Sequence, residues 1–180
     1  MIKNEKDVRR ESVLSVAGAM MAAARTAPKA KGTDRLEIIT VAEENDLGRL
    51  AEEMRRYSAQ SGLKFFMRDA LNVEQCEAAV IIGTGLGVGN LNCGYCGFDT
   101  CAQKEAAESV PCAFNIGDLG IALGSAASVA ADWRIDTRVM YSVGRAALDL
   151  GLLPGCRAAF GIVLSCAGKN PFFDRVFDKK

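Results

Sequence analysis

The sequence predicts an α+β chain in which helices pack on a small mixed or antiparallel sheet. Short β-branched runs, "RLEIITVA" (35–42), "AAVIIG" (78–83) and "CRAAFGIVLSC" (156–166), have the length and composition of strands. They alternate with longer stretches of helical period, several of them nearly free of charge. With 180 residues and 49% hydrophobic content, the chain is large enough to enclose one core, so a single domain over 1–180 is expected.

Taken in order, "ESVLSVAGAMMAAART" from Glu11 is rich in Ala and Met, with Gly18 and Ala22 four apart. It reads as a buried helix that a neighbour can approach closely, stopped by Pro28. The first strand run follows. "NDLGRLAEEMRRYSAQSG" then places Leu47, Leu50, Met54 and Tyr57 at helical spacing behind Asp46, which gives an amphipathic helix. "AAVIIG" is apolar throughout and followed by glycine, as a central strand should be. "FNIGDLGIALGSAASVAADW" and "VMYSVGRAALDLG" are two further small-residue helices, the second ended by Gly151 and Pro154, and the last strand precedes an aromatic, polar tail.

Composition excludes several function classes. Lys+Arg and Asp+Glu both number 22, so the broad positive charge of a nucleic-acid-binding domain is missing. Histidine is absent, which removes Ser-His and Cys-His nucleophilic catalysis, His-ligated zinc and any histidine proton shuttle. The N-terminal "MIKNEKDVRRES" lacks the apolar core of a secretory signal, and the run from Ser12 to Ala24 is too short to span a bilayer. A cytoplasmic protein without membrane attachment is expected. In a reducing compartment, seven cysteines point to metal or redox work rather than to disulfides.

Four of those cysteines lie in 91–112 as Cys93-x2-Cys96-x4-Cys101-x10-Cys112, and Gly94 and Gly97 follow the first two. Thiolates this closely spaced suit an iron-sulfur cluster, and the glycines let backbone amides turn towards the sulfurs. Structural zinc usually draws on two C-x2-C knuckles, and only one is present, so zinc is the lesser alternative. The third reading is four unligated small hydrophobes. The preceding "GTGLGVG" (83–89) lacks the G-x-G-x-x-G spacing and a following helix, so it is a flexible lead into the cysteine loop rather than a dinucleotide site. Lone acids such as Asp69 and Asp118 are read as caps or ion-pair partners.

On these residues, "NCGYCGFDTC" resembles the opening of the small four-iron ferredoxin module of electron-transfer subunits, whose pattern is C-G-x-C-G-x-x-x-C with a distal cysteine. The resemblance implies a 4Fe-4S cluster on Cys93, Cys96 and Cys101, with Cys112 as the distal ligand and Cys166 or Cys76 as substitutes if the fold brings them near. From "AARTAPKAKGTD" through "FFMRDALNV", "PCAFNIGDLGIALGSA" and "RVMYSVGRAA" to "GKNPFFDR", the chain also resembles an uncharacterised prokaryotic family described as containing a ferredoxin domain.

"RRES", "ARTAPKAKG" and "LGIALGSAASVAADW", in that order, are similar to flavin nitroreductases, where a basic N-terminal segment, a helix ending in Ala-Pro and a late Gly/Ala-rich helix serve the flavin. This resemblance implies a nitroreductase-like fold with the cysteine loop inserted. It also implies FMN as a second cofactor. Arg25, Lys29 and Lys31, approached by Lys169 and Arg175 of the tail, are the candidate phosphate contacts, against the alternative that they are solvated surface charges. The leading expectation is therefore an iron-sulfur electron-transfer protein, with a flavin-assisted reductase as its extension and a zinc-binding or cluster-sensing module as the alternative. Its partner would be a redox protein or a small-molecule electron acceptor. The uncharged helices Ser12–Ala24 and Leu119–Ala131 look apolar nearly all round, which, with the nitroreductase resemblance, predicts a homodimer.

Overall fold

A computed structural model describes residues 2–173 of the chain. The elements are α1 (Glu5–Thr26), β1 (Leu36–Val41), α2 (Glu44–Ser61), α3 (Phe65–Glu74), β2 (Ala78–Thr84), α4 (Cys101–Ala106), α5 (Ala113–Asp132), β3 (Asp136–Met140), α6 (Tyr141–Asp149) and β4 (Ala158–Ser165). The architecture is α+β, as the sequence implied. Four strands form one sheet in the order β1-β2-β4-β3, every neighbouring pair antiparallel.

β2 and β4 are central because their residues can be buried on both faces. All seven residues of β2 are buried, and its register sets Ile82 against Ile38 on one side and Phe160 on the other. Alternation then divides the core into two clusters. Ala78, Val80 and Ile82 pack with Ile162 and Leu164 against Val13, Val16, Ala17 and Met20 of α1 and Leu119, Ala122 and Ala126 of α5. Ala79, Ile81 and Val163 face the other way, onto Leu50 and Met54 of α2, Phe66 and Val73 of α3, and Val143 and Ala147 of α6. The result is a sheet sandwiched between two helical layers.

Close approach on the second face depends on two missing side chains. A Cβ on Gly144 would stand 1.9 Å from the Ala159 carbonyl oxygen, and one on Gly161 would stand 2.3 Å from Val143 Cγ1. Helix α6 therefore lies directly on β4.

Several boundaries differ from the sequence reading. Helix α1 begins at Glu5, six residues before the apolar run, because Asn4 caps it through Lys6 N (3.0 Å) and Glu5 grips Arg9 one turn on. The segment 136–140 is a strand, although its last two residues read as the opening of a helix; Val139 pairs with Ile162. The apolar α1 is not buried on every side of this chain: Leu14, Gly18 and Ala22 lie on its exposed face, where Gly18 has no neighbour within 4 Å of its would-be Cβ. Helix α5 is long and apolar enough to cross a membrane, yet Leu119, Ala122, Leu123 and Ala126 are spent on the core.

Candidate metal centre

The cysteine loop leaves the sheet at the end of β2 and returns at the start of α5. Its first part is pinned by side chains bonding to carbonyls. Asn115 Nδ2 donates to Gly85 O (3.2 Å) and Gly87 O (2.7 Å), Arg35 donates to Val88 O (2.9 Å), and Lys104 Nζ donates to Leu86 O. The glycine-rich lead is thus a braced spacer, four of whose carbonyls are held by side chains.

Beyond it the backbone repeatedly enters the left-handed region, at Asn90, Asn92, Gly94 and Gly97, with Gly97 N–H closing a turn on Gly94 O at 2.9 Å. The two asparagines tolerate that conformation better than most residues. Asn92 also clamps the third cysteine. Its Oδ1 accepts from Cys101 N at 2.8 Å, and its own N–H donates to Cys101 Sγ at 3.4 Å. Cys101 opens α4, which a capping box starts: Thr100 Oγ1 accepts from Gln103 N (3.3 Å) and Gln103 Oε1 accepts from Thr100 N (3.0 Å).

Cys112 is the N-cap residue of α5. Its burial pushes the thiol pKa up, but backbone N–H groups of Asn115, Gly89 and Phe114 and the Lys104 charge outweigh that, and the pKa lies below its ordinary value. A helix start and the end of the glycine-rich lead thus converge on one sulfur.

Cys93, Cys96, Cys101 and Cys112 line a single small pocket with about 10 Å³ of free volume, walled by Val88, Leu91, Phe98 and Phe114. No three His, Cys, Asp or Glu groups among the described residues converge tightly enough to hold one metal ion. Lys104, only 3% exposed, lines the same cavity. At the surface, Tyr95 is 78% exposed and stacks on Phe114 with ring centroids 5.8 Å apart.

The remaining cysteines lie elsewhere. Cys76 belongs to the core cluster under α2 and α3, where burial first and Glu77 second push its thiol up to about 12. Cys156 packs beside Gly83 and is likewise raised by burial. Cys166 N–H donates to the Glu77 carboxylate at 3.2 Å. All seven are thiols rather than disulfides.

The candidate phosphate contacts are placed differently. Arg25 donates to Asp34 Oδ2 (2.7 Å) and Leu36 O (2.9 Å), and Lys29 Nζ caps the end of α1 through Arg25 O (2.6 Å) and Ala27 O (2.8 Å). Lys31 is exposed, on left-handed backbone. Ala24 and Ala27 pack on the α1/α5 face, whereas Phe172 packs on the opposite one, so Phe172 lies across the sheet from the end of α1. Arg175 falls outside the described residues.

Sequence reasoning did not single out Lys104 or Asn115. A lysine three residues after Cys101, and an asparagine three residues after Cys112, are the signals that were available. Asp118 accepts Ala30 N–H on both carboxylate oxygens (3.1 Å each), and Asp69 accepts from Ser142 Oγ (2.6 Å) and Arg68, so both acids are structural, as read.

An antiparallel four-stranded sheet between helical layers, carrying a thiol-lined loop, defines a nitroreductase-like scaffold with a cysteine site added. The chain is 42% identical over 183 residues to a protein of Archaeoglobus fulgidus, covering 97% of this chain and 98% of the relative. The model of the family described as uncharacterized proteins containing a ferredoxin domain matches residues 108–175, and the chain belongs to that family. The matched segment holds Cys112 but begins after Cys101.

Among solved structures, a nitroreductase with bound FMN from Desulfitobacterium hafniense superposes with a TM-score of 0.58 at 17% identity, covering 92% of this chain and 83% of that one. A BluB-like flavoprotein from Clostridium difficile gives 0.57 at 14%, covering 92% and 84%. NfrA2 of Bacillus megaterium gives 0.56 at 16%, covering 87% of this chain and 58% of its own length. The chain therefore spans little more than half of the last protein. At these identities the likeness is one of fold.

Proposed function

We propose that this protein is an iron-sulfur electron carrier in which Cys93, Cys96, Cys101 and Cys112 hold a 4Fe-4S cluster on a nitroreductase-like body. One observation carries the reading: four thiols from the loop, from α4 and from the start of α5 line one cavity, while the other three cysteines lie outside it. The donor set fits the group. Four sulfurs around a single zinc would stand about 3.8 Å from one another, given Zn–S bonds near 2.3 Å, whereas a cluster needs them spread around a volume. Bound there, the cluster supplies reversible one-electron chemistry.

The chain's own residues do the rest. Gly94 and Gly97 turn the loop, Asn92 fixes Cys101, and the amides of Gly89, Phe114 and Asn115 favour the thiolate of Cys112. Val88, Leu91, Phe98 and Phe114 give the pocket apolar walls, while Cys93, Cys96 and Cys101 stay partly exposed. The exposed Tyr95 on Phe114 marks the side where a redox protein or a small-molecule acceptor would take the electron. A cytoplasmic setting suits seven reduced thiols. The exposed Leu14, Ile116 and Ile121 favour a homodimer, checked by sedimentation at micromolar concentration.

Anaerobic purification and reconstitution test the reading. About four irons and matching sulfide per chain, with broad visible absorption, are expected. A colourless protein carrying zinc alone would establish the zinc-binding alternative instead. A flavin-assisted reductase is the second reading, favoured by the fold shared with an FMN-bound nitroreductase. Here Arg25 and Lys29 would have to leave Asp34 and the end of α1 to meet its phosphate. Flavin titration of the same preparation decides it: no uptake at micromolar concentration removes the flavin.

A further inference from the structure

Lys104 is a buried ammonium whose only acceptor among the described residues is a backbone carbonyl, Leu86 O. No carboxylate among the described residues pairs with it, although charged side chains are rarely buried without a partner because the lost hydration must be replaced. The carbonyl supplies one dipole, not a counter-charge. What does face Lys104 is the cavity lined by the four cysteines.

Its position is not left to a flexible chain. Lys104 sits one turn after Cys101 on α4, a helix started by the Thr100–Gln103 capping box, and its ammonium is tethered to the glycine-rich lead that ends beside Cys112. The charge is thus held on the two segments that carry Cys101 and Cys112. Resting on the cluster reading above, we infer that Lys104 is the built-in counter-cation of the thiolate-ligated centre: it makes burial of a net-negative group tolerable and favours the more negative, reduced state over the oxidised one.

The test compares Lys104→Met, which keeps length and removes charge, with Lys104→Arg, which keeps charge. The full-length chains are reconstituted anaerobically, and the reduction potential is read by potentiometric titration followed in the visible and by electron paramagnetic resonance. The expected result is a lower potential for Lys104→Met and a value near wild type for Lys104→Arg. Before reconstitution, the Lys104→Met apoprotein should melt close to wild type, because removing an unpaired buried charge offsets the loss of the donor to Leu86 O. A folded Lys104→Met chain that fails to load iron while Lys104→Arg loads would support the same inference.

An unchanged potential in loaded Lys104→Met would overturn it. So would a Lys104→Met apoprotein that melts well below wild type or fails to fold, since the ammonium would then serve to hold Leu86. If the wild-type chain itself takes up no iron, the cluster reading falls, and this inference with it.

Discussion

Cys112 and Cys76 are both buried, yet their thiols are pushed in opposite directions. Cys76 lies in the packed body, where lost hydration is the largest influence and the Glu77 carboxylate adds to it. Cys112 lies where the loop meets α5, and three backbone N–H groups together with Lys104 more than offset the smaller penalty of burial there. Burial alone therefore does not make a cysteine inert. Each sulfur has three backbone N–H groups beside it; at Cys76 burial and the Glu77 carboxylate outweigh them, whereas at Cys112 the nearby charge is the Lys104 cation and the amides prevail.

The largest break in this comparison should come from the cysteines themselves. Replacing Cys93, Cys96 or Cys101 by Ser is expected to abolish iron incorporation, and Cys112→Ser to do likewise, whereas Cys76→Ser, Cys156→Ser and Cys166→Ser keep it; iron and sulfide analysis after reconstitution reads the difference. Full iron content in Cys96→Ser would end the assignment.

Next in size is a lesion of the body alone. Gly144→Ala drives a methyl into the Ala159 carbonyl and should cost about 3 kcal/mol or more of stability in denaturant unfolding, or prevent folding outright. By contrast, Gly97→Ala meets no neighbour and pays only for its left-handed φ of 85°, about 1 to 2 kcal/mol. Equal losses for the two would show that the loop is packed as tightly as the body.

The link between body and loop is Asn115. Asn115→Ala leaves the carbonyls of Gly85 and Gly87 without their donor and should destabilise the chain by about 1 to 3 kcal/mol. It should also lower the fraction of protein that retains iron after gel filtration, an effect Gly97→Ala shares only in part.

The last effect is one of pH and is confined to alkaline solution. With the Cys76 thiol at about 12 when folded and 9.0 when unfolded, the unfolded chain loses its proton first, so stability falls as pH rises from about 9 towards 12 and is fully present below 9. Cys76→Ala should flatten that part of the profile relative to wild type. Identical slopes for the two proteins above pH 9 would show that the thiol is more solvated than the packing indicates.

Much of the fold was legible because periodicity reports burial. The runs at 35–42, 78–83 and 156–166 became β1, β2 and β4, and Leu47, Leu50 and Met54 became the buried stripe of α2. The misreadings have specific causes. "DTRVM" carries two charges and only two apolar residues, so β3 is visible only through its pairing with β4 on the sheet edge. "FFMRDALNVE" was not read as an element, and it forms α3, with Phe66, Ala70 and Val73 turned inward. α1 and α5 read as apolar on every side because Gly, Ala and Ser do not distinguish a buried face from an exposed one.

By itself the sequence determined which reactive groups are available: no histidine, and seven cysteines, four of them closely spaced with glycines after two. Those are properties of composition and short-range spacing, which folding does not alter. Tertiary structure decided which sulfurs meet and what charge they meet. Cys112 joins Cys93, Cys96 and Cys101 because α5 begins where the glycine-rich lead passes, while Cys76 and Cys166, equally available by residue type, are held at the far end of β2 and the end of β4. Lys104 became part of the site, and Arg25 and Lys29 were drawn into caps and ion pairs, for one reason: a cation goes where the fold leaves an acceptor within reach, and that is fixed by long-range packing rather than by neighbours in the chain.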